Sequence, residues 1–217
     1  MTARYTLYLG TKDWSSWSLR PYLAMRHIGI AFDEVLVPLR RETTSPEILK
    51  ISPAGRVPVL KIEEAGQSYV VWDSLAICET LADRHPEARL WPDDAKTRAI
   101  ARAYSAEMHS GFPDVRDQLY LDFARRVPLP ELRDSTRAQI ARIHAAWTEA
   151  LAAHPGGFLF GRFSIADCMY APVVSRFLTY GVAVPPVVAG YMDRMMALPA
   201  MKDWGKAAEA EVAAGLA

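Results

Sequence analysis

The sequence predicts two structural classes in one chain: a mixed α/β unit over residues 1–85, then an all-α unit over 92–217. Three observations predict it. Short apolar runs with strand character alternate with helical stretches up to His85, and helical spacing dominates from Asp93 onward. Between them lies His85-Pro86-Glu87-Ala88-Arg89-Leu90-Trp91-Pro92, whose prolines cannot continue a helix and whose Leu90-Trp91 would anchor a linker against a core.

The elements follow in order. Tyr5-Thr6-Leu7-Tyr8-Leu9 lies in a strand over 4–9, and a helix over about 17–28 follows the hydroxyl-rich turn Ser15-Ser16-Trp17-Ser18. Strands over 32–38, 57–62 and 69–72, a helical turn near 46–50 and a helix over 74–84 complete a β-α-β, β-β-α order. Ala65-Gly66-Gln67 joins the last two strands as a hairpin, while the first helix crosses over between parallel strands. In the second unit the stretches 93–121, 134–153, 164–179 and 187–197 carry helical spacing, and the alanine-rich C-terminal tail is expected to fray.

Composition narrows the function classes. Lysine plus arginine equals aspartate plus glutamate at 25 each, so no global field draws the chain to nucleic acid. No stretch approaches the roughly 20 apolar residues of a membrane span and no leader pattern opens the chain, which points to a soluble, cytoplasmic protein. Cys78 and Cys168 both fall among apolar residues in helical patterns, where reduced buried thiols are expected rather than a disulfide, a redox pair or a metal site.

Hydroxyl residues between a strand and a helix place polar groups and unpaired backbone N–H donors at a helix N-terminus, which favours an anion, a thiolate included. Ser15 taken alone reads as an N-cap; Pro21 fits best in a first turn, which moves the helix start toward Ser18 or asks for a kink and makes Ser18 the pure cap. Asp73 and Ser74 taken alone read as capping residues, and Pro58 as an edge proline. Ser164 and Asp167 have capping-box spacing and read as folding residues. Met108 and Phe112, one turn apart, suit a pocket wall or a core; His109 has no positioned partner in the sequence and is left structural.

Ser15-Ser16-Trp17-Ser18-Leu19-Arg20, Ser52-Pro53-Ala54-Gly55-Arg56-Val57-Pro58-Val59-Leu60, Asp73-Ser74 and Phe163-Ser164-Ile165-Ala166-Asp167 occur in the order of four motifs of the cytosolic glutathione S-transferases, which the chain resembles over essentially its whole length. The first resembles the serine-type stretch of the zeta class and its bacterial relatives, with Trp17 where a cysteine often stands. The resemblance implies a thioredoxin-like N-terminal domain and a helical-bundle C-terminal domain, with glutathione as co-substrate and no metal.

That resemblance also assigns roles. Ser15, with Ser16 second, would donate a hydrogen bond to the glutathione thiolate. Such a bond to a charged acceptor contributes about 1.5–3 kcal/mol, one to two pKa units, enough to make thiolate the major form of a thiol that titrates near 8.5. Val57 before a cis Pro58, together with Arg56, Asp73 and Ser74, would bind the tripeptide, with Arg40 and Arg41 as further candidates for its glycyl carboxylate. Trp17, Met108 and Phe112 would line the second-substrate pocket. The implied activity is thiolate attack on a small electrophile, as in detoxification. The alternatives are cis–trans isomerisation of a maleylacetoacetate-like diacid, a peroxidase or thiol-exchange activity, and a non-catalytic binding or assembly module; a homodimer is implied as well.

Overall fold

Alternating Tyr5, Leu7 and Leu9 bury one face of β1 (Arg4–Gly10) at the centre of a four-stranded sheet of order β2-β1-β3-β4 in a computed structural model that describes residues 3–217. Residues 1 and 2 of the expected first unit lie outside the described residues. β1 runs parallel to β2 (Asp33–Val37), with Thr6 opposite Asp33 and Gly10 opposite Val37. It runs antiparallel to β3 (Val59–Glu64), with Tyr8 opposite Val59. β3 turns into β4 (Gln67–Trp72) through Ala65 and Gly66, both at positive φ as a two-residue hairpin of matching twist requires.

Three helices belong to this sheet: α1 (Ser16–Ile28), α2 (Thr44–Leu49) and α3 (Ser74–Arg84). After a single 3₁₀ turn at Pro86–Ala88 come α4 (Ala95–Ser110), α5 (Pro113–Gln118), α6 (Asp134–Ala153), α7 (Ile165–Thr179), α8 (Pro186–Ala197) and α9 (Pro199–Ala213). Leu90 and Trp91 are buried in the connection; the Trp91 indole N–H donates to Glu79 Oε2 at 2.9 Å and Leu90 O accepts from Ile165 N at 2.9 Å. α1 packs against α3, α7 and α9, so one apolar core runs from Leu7, Leu23 and Ile77 to Trp147, Tyr170 and Phe177.

Three expectations need correction. α1 begins at Ser16 and carries Pro21 in its interior: Ser15 is the N-cap, and Ser18 lies in the first turn instead of capping it. The helical stretch over 93–121 is two helices, broken where Phe112 adopts φ 57° ahead of Pro113. Gly111 sits in that break because a Cβ there would lie 2.6 Å from Glu107 O. Finally, the alanine-rich tail does not fray but forms most of α9. Trp204 lies edge-on to Tyr22 at 4.9 Å and donates its indole N–H to Lys12 O at 3.0 Å, while Glu211 Oε2 accepts from Lys12 N at 2.5 Å. Long-range burial decides this segment; composition does not.

At the start of α7, the buried Asp167 carboxylate accepts from Ser164 N at 2.9 Å and Ser164 Oγ at 3.0 Å through Oδ2, and from Leu159 N at 3.1 Å through Oδ1. Replacing Ser164 with alanine removes the Oγ donor and keeps both backbone donors. The expected loss is about 0.5–2 kcal/mol of stability, read by urea denaturation, and a loss-free variant would show that the hydroxyl is idle.

Candidate active site

Four backbone segments meet at one cleft: the first turn of α1, the loop before β3, the N-terminus of α3 and the end of α4. A cavity of about 490 Å³ there is lined by Trp17, Ala54, Arg56, Val57, Pro58, Asp73, Ser74 and His109. The Val57–Pro58 peptide bond is cis. Arg56 is exposed at the rim, whereas Ser74 is buried at the base.

Asp73 caps α3 from a backbone conformation that non-glycine residues rarely adopt, φ 75°. Its Oδ1 accepts from Leu75 N at 2.9 Å and Ala76 N at 3.2 Å, which offsets the backbone cost. Its Oδ2 lies 3.0 Å from Nε2 of His109 on α4. His109 therefore has the positioned partner that the sequence did not reveal, because the two residues stand on different elements of different halves of the chain.

Ser15 caps α1, its Oγ 3.4 Å from Ser18 N, and its hydroxyl lies 2.7 Å from Ser18 Oγ. Ser18 Oγ also accepts from Gly10 N at 3.1 Å, so Ser15 Oγ and the end of β1 both donate to the Ser18 hydroxyl. Ser15 and Ser16 are 4% and 7% exposed and do not line the cleft, to which their neighbour Trp17 contributes. The loop carrying Ser15 is held on two sides: α9 grips Lys12, and Asp13 accepts from Ala124 N at 2.8 Å through Oδ1 and from Phe123 N at 3.1 Å through its carbonyl.

Asp13 and Asp122 form a buried carboxyl pair in that bracket, each with one side-chain oxygen that lacks a hydrogen-bond partner among the described residues. Burial, and then the neighbouring Asp13, raises the pKa of Asp122, while Arg125 and Arg40 pull it down. A raised acid favours folding while it is protonated, and this contribution is lost as pH rises through its folded-state pKa. Asp122→Asn keeps donors there at every pH; its urea midpoint should exceed that of the wild type on the alkaline side and converge with it in acid. Parallel pH profiles would show that Asp122 does not hold its proton above the ordinary carboxylate range.

Cations surround the indole of Trp17. Arg20 and Arg116 stand over it at 4.2 and 4.7 Å, and His109 meets its edge at 5.3 Å. Arg20 is buried and donates to Ser74 Oγ at 3.2 Å instead of pairing with a carboxylate; its Nε has no partner among the described residues. Burial and then Arg116 push its pKa down to about 9, so it still carries its charge at neutral pH. Arg116 donates to the carbonyls of Met108, His109 and Gly111 and so caps the end of α4. Two guanidinium groups thus stand behind the lining residues Trp17 and Ser74, with the Asp73 carboxylate in the lining itself.

The remaining candidates separate. Met108 and Phe112, 2% and 5% exposed, belong to the core and do not line the cleft, since the turn at Gly111 points that end of α4 inward. Arg40 lies over Trp14 at 4.2 Å, and Arg41 donates to Gly215 O at 3.3 Å; neither reaches the cleft wall. Cys78 and Cys168 are buried free thiols, Cys78 pushed up to about 12 and Cys168 raised well above the ordinary thiol value by burial, so neither supplies a thiolate. Among the described residues no cluster of side chains could hold a metal ion, and no helix is long and apolar enough to cross a membrane.

Two family models match the chain: "Glutathione S-transferase, N-terminal domain" over residues 14–84 and "Glutathione S-transferase, C-terminal domain" over residues 115–204. A zeta-class glutathione S-transferase from Euphorbia esula is 30% identical over 168 residues, 76% of this chain and 73% of its own. A probable maleylacetoacetate isomerase from Caenorhabditis elegans is 28% identical over 83% of this chain and 82% of its own. Among solved structures, a maleylacetoacetate isomerase from Anaeromyxobacter dehalogenans 2CP-1 with bound GSH in its active site superposes with a TM-score of 0.70 at 26% identity, covering 94% of this chain and 95% of that one.

Proposed function

The chain belongs to the glutathione S-transferase family, and from that membership we propose that it binds glutathione in the cleft between Trp17 and Ser74, holds the thiol as thiolate and adds it to an electrophilic small molecule. One observation carries the reading: the cleft joins two helix N-termini, with the buried Arg20 guanidinium donating to its lining residue Ser74 and the cis Val57–Pro58 segment along one wall. The γ-glutamyl carboxylate faces Ser74 and the N-terminus of α3, the ammonium group faces Asp73, and the cysteinyl backbone pairs with Val57. Arg56 takes the glycyl carboxylate as an exposed fork.

The chemistry then needs little else. The thiol releases its proton to solvent, and Ser15, backed by Ser18 and Gly10 N, donates to the sulfur anion. The thiolate lone pair forms a carbon–sulfur bond with the electrophile, whose leaving group departs or whose displaced π pair is later protonated by water. Residues 1–85 supply the glutathione half of this site and residues 92–217 its second-substrate half, with His109 and Arg116 facing Trp17 from α4 and α5. Exposed Tyr69 and Trp72 on β4 and Ile100 on α4 support a homodimer in which one chain's first unit meets the other's bundle. Buried free thiols support a reducing, cytoplasmic setting.

A second reading, isomerisation of a maleylacetoacetate-like diacid, is favoured by the relatives that carry that name and by the cationic surroundings of Trp17. There the thiolate adds to the cis double bond, the new single bond rotates, and elimination regenerates the thiolate.

Calorimetric titration with glutathione, with ultraviolet titration of the bound thiolate, tests the shared core of both readings. Binding with a thiol pKa below that of free glutathione is expected. Absence of binding overturns the enzyme reading in favour of a fold kept as a binding or assembly module.

A further inference from the structure

His109 is the one titratable group on the cleft wall that the chemistry above leaves without a task. Its Nε2 faces Asp73 Oδ2 at 3.0 Å, while Nδ1 is buried with no hydrogen-bond partner among the described residues. A buried N–H without an acceptor costs more than a bare ring nitrogen, so the hydrogen belongs on Nε2, toward the carboxylate. The groups facing the ring are Asp73 on α3, Trp17 and Arg20 on α1, and Arg116 on α5. Burial lowers the histidine's pKa most; Asp73 opposes this and the two arginines add to it, so the ring is neutral near pH 7.

Asp73 has one carboxylate oxygen to spare. Oδ1 is taken by the N–H groups of Leu75 and Ala76, so Oδ2 must serve both His109 and any cation that enters the cleft. Resting on the glutathione site proposed above, we propose that the ammonium group of glutathione takes Asp73 Oδ2 and hands the His109 Nε2–H to the second substrate, where it donates to a carbonyl oxygen conjugated with the carbon under attack. His109 is then a catalytic residue specific for enone-type electrophiles.

The step balances without a proton transfer. The thiolate lone pair forms the carbon–sulfur bond, the carbon–carbon π pair moves toward the carbonyl, and the enolate oxygen accepts a hydrogen bond from Nε2–H. Water later protonates the carbon next to the carbonyl as the enolate collapses. A neutral imidazole suits this task because it donates to a developing anion without leaving its carboxylate partner with an unbalanced charge. The ring, partly exposed on the cleft wall, turns about its Cβ–Cγ bond to re-aim Nε2–H from Asp73 to the substrate.

The test compares wild type, His109→Ala and His109→Gln with two probes, the conjugated enone 4-phenylbut-3-en-2-one and the aryl halide 1-chloro-2,4-dinitrobenzene, which has no carbonyl. For His109→Ala the fall in kcat with the enone should be about 10–100-fold and at least about tenfold greater than with the aryl halide. His109→Gln, which keeps an N–H donor, should recover part of that loss. Equal losses on both probes, or a raised KM for glutathione with unchanged kcat, would mean that His109 only positions Asp73 and would overturn the proposal. A wild type that binds glutathione but does not turn over the enone overturns it too. Calorimetry with glutathione on each protein separates these outcomes from failure of the underlying site, which would show as no binding by the wild type, and circular dichroism confirms that each variant is folded.

Discussion

Ser15→Ala should raise the pKa of bound glutathione's thiol by one to two units and lower kcat/KM at neutral pH by about 10–100-fold, because a hydrogen bond to a charged acceptor is worth about 1.5–3 kcal/mol. The structure adds two features to this expectation. Ser15 is also the N-cap of α1, so the same change should cost about 0.5–2 kcal/mol of stability. Its hydroxyl is also one link in a chain: Gly10 N donates to Ser18 Oγ, and Ser18 Oγ stands 2.7 Å from Ser15 Oγ. A hydroxyl rotates to suit its partners, so when Ser15 turns its proton to the sulfur, Ser18 can donate to Ser15 in its place. Ser18→Ala should then raise the thiol pKa by less than Ser15→Ala does, in the same direction, with the thiolate read by its ultraviolet absorbance. An unchanged thiol pKa in Ser15→Ala would move the donor to Ser16; an unchanged value in Ser18→Ala would break the chain while leaving Ser15 in place.

The largest effect on stability belongs to Asp167. Its carboxylate, fully buried, accepts from the backbone N–H groups of Ser164 and Leu159 and from the Ser164 hydroxyl. Asp167→Ala strands three buried donors at once, and at about 1–3 kcal/mol for each unsatisfied group the loss should be at least about 3 kcal/mol, a large share of the stability of an ordinary domain. The effect reaches beyond α7, because Leu159 belongs to the loop before it and Leu90 O, in the connection between the two halves, accepts from Ile165 N. The expected readout is a large drop in soluble yield and in the urea midpoint, with little change in the thiol pKa of the protein that folds.

Asp167 also predicts a pH dependence. Burial pushes its pKa up to about 6, against the donated hydrogen bonds that favour the anion. With the folded-state pKa above the ordinary carboxylate value, the folded state holds the proton more tightly than the unfolded chain. Stability from this group is fully present below about pH 4 and is lost as pH rises through about 6, on the order of 3 kcal/mol in all. Asp167→Asn, which does not titrate, should lack that decline, although its amide NH₂ faces groups that need an acceptor and lowers stability throughout. A wild-type thermal midpoint that does not fall between about pH 4 and pH 6 would show that the donors outweigh burial.

Much of this was legible in the sequence because it is local. Period-two alternation in Tyr5, Leu7 and Leu9, the hairpin at Ala65-Gly66-Gln67, and the spacing of Ser164 and Asp167 each fix a backbone conformation within a few residues, and the structure shows all three, with the hairpin loop narrowed to Ala65 and Gly66. The family motifs directed attention to Trp17, Arg56, Val57, Pro58, Asp73 and Ser74, and these six share one cleft.

What only the tertiary structure decided depends on residues far apart in the chain. α1 keeps Pro21 in its interior because burial against α3, α7 and α9 outweighs the lost hydrogen bond, a balance that no local propensity contains. The alanine-rich tail becomes α9 because Trp204 and Glu211 find Lys12, almost the whole chain away. Met108 and Phe112 face the core because Gly111 and Pro113 turn the chain between them and α5. His109 acquires a role from Asp73, a residue on another element, which the spacing along the sequence cannot reveal. Short-range sterics and hydrogen bonding write the elements into the sequence; which polar group meets which across the cleft is fixed only when packing brings the two halves together, since the energy of those pairs depends on distances and burial that exist solely in the folded chain.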